Sequence, residues 1–247
     1  MLIHPTIDHM KELRLFGMAR ALETQMQLKE ARELSFEERL GLLIDAEVVA
    51  RENKSQEIRL KAAKLRLSAC IEDLEIDASR GLDRSVVTSL ANCDWLRSNQ
   101  NVFITGPTGS GKTYLACALA QKAVRSGFSV LYFRAQILFQ DLAVAKADGR
   151  YRRLLDSIAK RDLIILDDFA LAPLTDEQRR DFLEVVEQRY DSKSTIVVSQ
   201  VPFDDWHDVI GDPTVADAIL DRLIHNAHHL NVKGDSMRGK RSKKGKN

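Results

Sequence analysis

Gly106-Pro107-Thr108-Gly109-Ser110-Gly111-Lys112-Thr113 decides the fold. The octet fits GxxxxGK[ST] and stands between an apolar run, NVFIT at 101–105, and a helical stretch, TYLACALAQKAV at 113–124. That strand–loop–helix context is what a phosphate-binding loop needs. Its glycines let the backbone wrap closely around a polyanion, and successive N–H groups then point inward as a nest. The following helix adds the positive end of its dipole. Lys112 is expected to reach the β- and γ-phosphates of a nucleoside triphosphate, and Thr113 to place its hydroxyl on Mg²⁺.

Outward from the loop, short apolar runs recur at 102–105, 130–133, 163–166 and 196–199, separated by helical stretches. Runs this short and unbroken suit strands buried on both faces of a parallel sheet, joined by right-handed crossovers. The expected fold class is therefore α/β. Leu163-Ile-Ile-Leu-Asp167-Asp168 is an apolar strand ending in two carboxylates, 55 residues beyond Lys112. With the loop present, Asp167 is read as the Mg²⁺-holding acid beside Thr113, and Asp168 as the base that polarises an attacking water. Hydrolysis also needs positive charge near the γ-phosphate, which a neighbouring subunit can supply as an arginine. Arg222, in ADAILDRL at 216–223, is the candidate; the competing reading is a surface ion pair with Asp217 or Asp221.

The order GPTGSGKTYLA, LIILDDF, TIVVSQ and ADAILDRL resembles the AAA+ ATPases of the initiator and loader group, and is closer still to the IstB-type helper ATPases of insertion-sequence transposons. The resemblance runs through LRLFGMARAL, SFEERLGLLIDAE, RGLDR, SQVPFDDWHDVIGDP and GDSMR, nearly the whole chain. It implies a helical N-terminal domain over 1–70, a connector over 71–100, a P-loop AAA+ core with a helix-flanked parallel sheet over 101–237, and a basic tail over 238–247. It also implies a homo-oligomer with ATP at subunit interfaces, acting on duplex DNA with little sequence preference and serving a partner transposase. Gln200 takes the sensor-1 position, Arg222 the finger position, and Arg238 a sensor-2 position. Two departures stand out. The second acid is Asp168 rather than the glutamate usual in AAA+ proteins, and about 25 residues follow Arg222, fewer than a full helical lid uses. The rival reading is a replicative helicase loader similar to DnaC, acting on single-stranded DNA.

Composition agrees with this reading. The 247 residues carry 37 Lys plus Arg against 36 Asp plus Glu, a net charge of +1, so any nucleic-acid surface must come from segregated charge. RGKRSKKGKN at the C-terminus holds six cations and no anion. Two internal clusters also qualify for contacts to a phosphate backbone: Arg51, Lys54, Arg59, Lys61, Lys64 and Arg66, and then Lys146, Arg150, Arg152 and Arg153 around Tyr151. In the first, Lys54, Lys61 and Lys64 are expected on one helical face opposite Leu60, Ala63 and Leu67. Three-and-four spacing also marks Leu13 and Phe16, and Leu40, Leu43 and Ile44, as buried helix faces. Ser35 followed by Glu38 reads as a capping box, and a single helix is expected over 85–96. Neither a membrane span nor a secretory leader is legible, and three scattered cysteines, Cys70, Cys93 and Cys117, fit reduced thiols in a bacterial cytoplasm. His225 and His228 could share a helical face, but no acidic or cysteine partner has metal-binding spacing.

Overall fold

The structure, a computed structural model, describes residues 5–234. It divides into two compact units, one ending at Ile58 and the other beginning at Arg59. The first holds α1 (Pro5–Glu12), α2 (Phe16–Gln27) and most of α3 (Phe36–Ala63), which contains the division. Ser35 starts α3 with the expected capping box: its N–H donates to Glu38 at 2.8 Å and its hydroxyl accepts from the Glu38 N–H at 3.2 Å. Gly17 lets α2 meet α3 closely, because a Cβ there would lie 2.5 Å from the Ala46 carbonyl oxygen. Glu47, buried on α3, accepts the N–H groups of Gly17 at 2.7 Å and Met18 at 3.1 Å. A carboxylate thus satisfies two donors that the start of α2 leaves open. Of the apolar positions read as buried faces, Ala19, Leu43 and Ala63 are buried, whereas Leu13, Phe16, Leu40, Ile44 and Leu60 are exposed.

The second unit is built around a sheet. After the end of α3 come α4 (Arg84–Ala91) and α5 (Asp94–Arg97), the expected single helix being broken where Cys93 takes φ +63°. Then follow β1 (Asn101–Thr105), α6 (Lys112–Arg125), β2 (Val130–Arg134), α7 (Ala135–Ala147), α8 (Tyr151–Ala159), β3 (Leu163–Phe169), α9 (Asp176–Glu187), β4 (Ser194–Ser199), α10 (Trp206–Ile210), α11 (Pro213–Ile224) and β5 (Ala227–Asn231). The five strands run parallel in the order β2-β3-β4-β1-β5. Side chains alternate between two cores. Val102, Ile104, Ile165 and Val198 pack on one face, and Phe103, Ile164, Leu166 and Val197 on the other. Burial on both faces is why these strands read as unbroken apolar runs.

β5 was not among the expected strands. It is an edge strand, AHHLN, in which only Leu230 is buried, so it lacks the apolar signature of its neighbours. It also overturns the shared helical face for His225 and His228. His225 caps α11, whereas His228 lies in β5 and meets Gln100 at 2.9 Å. The strand order places the C-terminal ends of β3, β4 and β1 side by side, so loops leaving all three converge on one edge of the sheet. That edge is where open α/β sheets bind ligands.

Candidate functional site

The loop after β1 has the backbone its glycines permit, with φ of +140° at Gly106, +83° at Gly109 and +98° at Gly111. Gly106 is also required sterically, since a Cβ would come within 2.0 Å of the Val232 carbonyl oxygen. Lys112 opens α6, is buried, and donates from Nζ to the carbonyls of Gly106 at 2.7 Å and Pro107 at 2.8 Å. Its ammonium thus curls back over the loop that would cradle phosphate. Arg80 donates to the Ser110 carbonyl at 2.5 Å, tying the connector to the loop. Across the sheet edge, the Thr108 hydroxyl meets the Gln200 side-chain oxygen at the end of β4.

The acidic end of β3 faces the start of α6. Asp167 is fully buried and accepts from the Thr113 hydroxyl at 3.0 Å, the Tyr132 hydroxyl at 2.5 Å and the Asp168 N–H at 2.9 Å. The pairing of β3 with β4 shifts register between Leu166 and Phe169, and Asp168 takes φ +58°. Its carboxylate therefore leaves the strand's alternation and turns partly into solvent. There it meets two guanidinium groups, Arg66 at 3.2 Å and Arg134 at 3.2 Å; Arg66 also lies 3.5 Å from Asp167. Burial, and then the neighbouring Asp167 carboxylate, push the Tyr132 phenol well above its ordinary pKa, so it remains a proton donor to Asp167. The Arg66 guanidinium is likewise held above its usual value, chiefly by the Tyr132 hydroxyl and then by Asp168 and Asp167.

These groups line a cleft of about 1140 Å³. It is lined by the 108–113 loop with Asp167, Asp168 and Gln200, and also by Leu67, Leu74, Leu82, Tyr114 and Val232. The glycine-formed nest and Lys112 suit a polyphosphate. Mg²⁺ fits as well, because the Thr113 hydroxyl and the Asp167 carboxylate present the hard oxygen donors that this ion prefers, side by side.

The structure thus brings together Gly106, Pro107, Thr108, Gly109, Ser110, Gly111, Lys112, Thr113, Asp167, Asp168 and Gln200. Arg222 lies apart from this cleft, in the last turn of α11. It donates to the Ala218 carbonyl at 2.8 Å and to Glu187 at 2.7 Å, not to Asp217 or Asp221. Arg238 lies outside the described residues.

The basic clusters are less uniform than the sequence suggested. Arg51 pairs with Glu47 at 2.7 Å, and Lys54 sits 5.9 Å from the centre of the Phe16 ring. α3 ends at Ala63 and Lys64 turns out of it at φ +52°, so the helical face expected to carry Lys54, Lys61 and Lys64 stops before Lys64. Arg59 is half-buried and Lys61 exposed. Arg66, expected among the DNA contacts, is at the acidic end of β3. Lys146 pairs with the buried Asp181 at 2.6 Å, and the Tyr151 hydroxyl donates to the same carboxylate at 2.8 Å, so Tyr151 is engaged within the fold. Arg150 pairs with Asp148, while Arg152 and Arg153 are exposed, Arg152 lying 3.9 Å from Asp156. Sequence reading did not place Arg66, Arg80, Tyr132 or Arg134 at the site. Tyr132 and Arg134 sit at the end of the strand beside β3, a signal that becomes usable only once strand order is known.

A phosphate loop after β1, an acid pair ending β3 and a polar residue ending β4, on a sheet ordered β2-β3-β4-β1-β5, define a P-loop protein of the AAA+ class. The family of IstB-like ATP binding proteins matches residues 8–245, and the chain belongs to it. Among relatives, the insertion-sequence protein y4pL of Sinorhizobium fredii is 46% identical over 99% of this chain and 100% of its own length. The IS21 insertion-sequence protein of Pseudomonas aeruginosa is 34% identical over 95% of this chain and 89% of its own. Solved structures share the fold. The DnaC helicase loader has a TM-score of 0.57 at 20% identity, covering 67% of this chain and 97% of that one. AMPPCP-bound DnaA from Aquifex aeolicus has a TM-score of 0.60 at 21% identity, covering 73% and 56%. Among the described residues, no helix is long and apolar enough to cross a membrane.

Proposed function

We propose that this protein is an ATPase that assembles on duplex DNA, remodels it and serves the transposase of its insertion sequence. The observation that carries the reading is the complete cradle on the sheet edge: a glycine-formed nest, a buried Lys112, and Thr113 hydrogen-bonded to Asp167. Membership in a family named for ATP binding, with relatives named for insertion sequences, supplies the context.

In this reading the loop N–H groups and Lys112 bind the phosphates, and Thr113 with Asp167 hold Mg²⁺. The ion, when bound, neutralises charge that develops on the phosphate oxygens. Asp168 orients and deprotonates the attacking water, and Gln200 offers an amide to that water or to the γ-phosphate. Arg222 acts on the nucleotide of a neighbouring subunit in a homo-oligomer, exchanging the Glu187 carboxylate for phosphate, one anion for another. DNA is held by phosphate contacts, with the exposed Lys61, Arg152 and Arg153 the internal candidates.

ATP turnover measured with no DNA, with single strands and with duplex, alongside Lys112→Ala, tests the reading. Stimulation mainly by duplex, absent in Lys112→Ala, is expected. Stimulation mainly by single strands moves the assignment to a helicase loader, and no turnover under any condition removes the roles given to Asp168 and Arg222.

A further inference from the structure

We propose that Arg66 is the stand-in counter-ion of the metal site: a tethered cation that neutralises the Asp167–Asp168 pair while no metal is bound and surrenders it to the incoming divalent ion. The inference rests on the proposed nucleotide and Mg²⁺ site.

Two adjacent carboxylates at the end of β3, one fully buried, need a counter-charge whenever no metal is bound. An uncompensated charge there is strongly destabilising. Arg66 supplies it, with one nitrogen 3.2 Å from Asp168 Oδ2 and 3.5 Å from Asp167 Oδ2. Asp167 is the same acid that Thr113 marks for the metal. Guanidinium and metal therefore compete for one carboxylate group.

The placement of Arg66 is built into the chain. Residues 65, 67 and 69 turn inward and 66 and 68 outward, a period-two alternation anchored by the buried Ala69 and by Leu65 and Leu67 packed on the core. Side chains on the outward face are thereby aimed away from the core that Leu65 and Leu67 join, and Arg66 reaches the acid pair. Its side chain is 41% exposed, so its hold is screened and modest. A divalent ion that also binds phosphate can displace it. Arg134 remains on Asp168, so the outer acid keeps one cationic partner after Arg66 leaves. Displacement also removes the tie between the 64–70 segment and the end of β3, leaving the core packing of Leu65, Leu67 and Ala69 to hold it.

The test uses the full chain saturated with ADP and titrated with Mn²⁺, free ion being followed by electron paramagnetic resonance. Arg66→Ala is expected to reach half-saturation at Mn²⁺ roughly two- to fivefold lower than the wild type, as removal of a partly screened competitor implies. Arg66→Lys, which keeps the charge without the fork, falls between. Equal or weaker Mn²⁺ binding by a folded Arg66→Ala overturns the proposal. Should that variant not fold, the wild type decides. Amide exchange over 64–70 is compared in ADP with EDTA and in ADP with Mn²⁺. Faster exchange with metal supports displacement, and unchanged or slower exchange refutes it. Failure of the wild type to bind ADP, with the same result in Lys112→Ala, overturns the nucleotide site itself. ADP binding that persists while Arg66 has no effect on Mn²⁺ removes only the role of Arg66.

Discussion

Replacing Gly106 by alanine probes the join between the phosphate loop and the far end of the sheet. The added Cβ would lie 2.0 Å from the Val232 carbonyl oxygen and 3.0 Å from its carbonyl carbon, both backbone atoms with no flexible end to swing aside. Relief requires the end of β1 to part from the chain leaving β5, where the Val232 N–H donates to the Thr105 carbonyl at 2.8 Å. Losing that bond costs about 1 kcal/mol. Forcing a side chain into φ +140° adds roughly 1–3 kcal/mol. The sum, about 2–4 kcal/mol, is a large share of the stability of an ordinary domain. Because the strain falls at the first residue of the loop, nucleotide affinity should fall with it. Gly127→Ala is the control: it too has positive φ, +95°, but nothing lies within 4 Å of its added Cβ. Urea unfolding and titration with a fluorescent ATP analogue, run on both variants, check the argument. Wild-type unfolding and wild-type affinity in Gly106→Ala would refute it, as would equal losses in the two variants.

Glu47→Gln removes a charge from three hydrogen bonds, to Gly17, Met18 and Arg51, and should lower stability by about 2 kcal/mol in thermal unfolding. Burial raises the pKa of Glu47, but Arg51 and the Met18 and Gly17 N–H groups outweigh it and hold the carboxyl below its ordinary range. Its contribution is therefore complete at neutral pH and is lost as the pH falls through that lowered value; a wild-type minus Glu47→Gln stability difference that grows on acidification would contradict this. Arg189→Met strips donors from the carbonyls of Ile158, Arg161 and Ser194 inside the fold, and should cost about 3 kcal/mol or more in chemical unfolding; near-wild-type stability would show those carbonyls finding other partners. Asp168→Asn should abolish ATP turnover while leaving ATP binding measurable, and full turnover would remove Asp168 from the base role. Mixing Arg222→Ala with Lys112→Ala should restore part of the turnover each lacks alone; no rescue at any ratio would place Arg222 outside the neighbour's site.

Most of the candidate site was legible because its signals are local. The loop's glycines, Lys112 and Thr113 lie within eight consecutive residues, and the strand ending in Asp167 and Asp168 carries its own apolar run. The Ser35–Glu38 capping box is equally local, and it forms. What was not legible depends on pairings that no short window contains. β5 is an edge strand in which only Leu230 is buried, so its sequence does not distinguish it from a loop. Tyr132 and Arg134 become site residues only because β2 lies next to β3 in the sheet. Arg66 meets Asp168 across 102 residues of sequence, and its position beside a lysine-rich stretch favoured a surface reading. Like charges close in sequence need not share a destination. Arg51 is taken up by Glu47 and Lys146 by Asp181, while Arg66 balances the acids that end β3. A basic cluster counted from sequence is thus an upper bound on the charge available to DNA. The acid that each cation meets in the fold decides how much remains: Arg152 lies 3.9 Å from Asp156, while Lys61 and Arg153 are exposed.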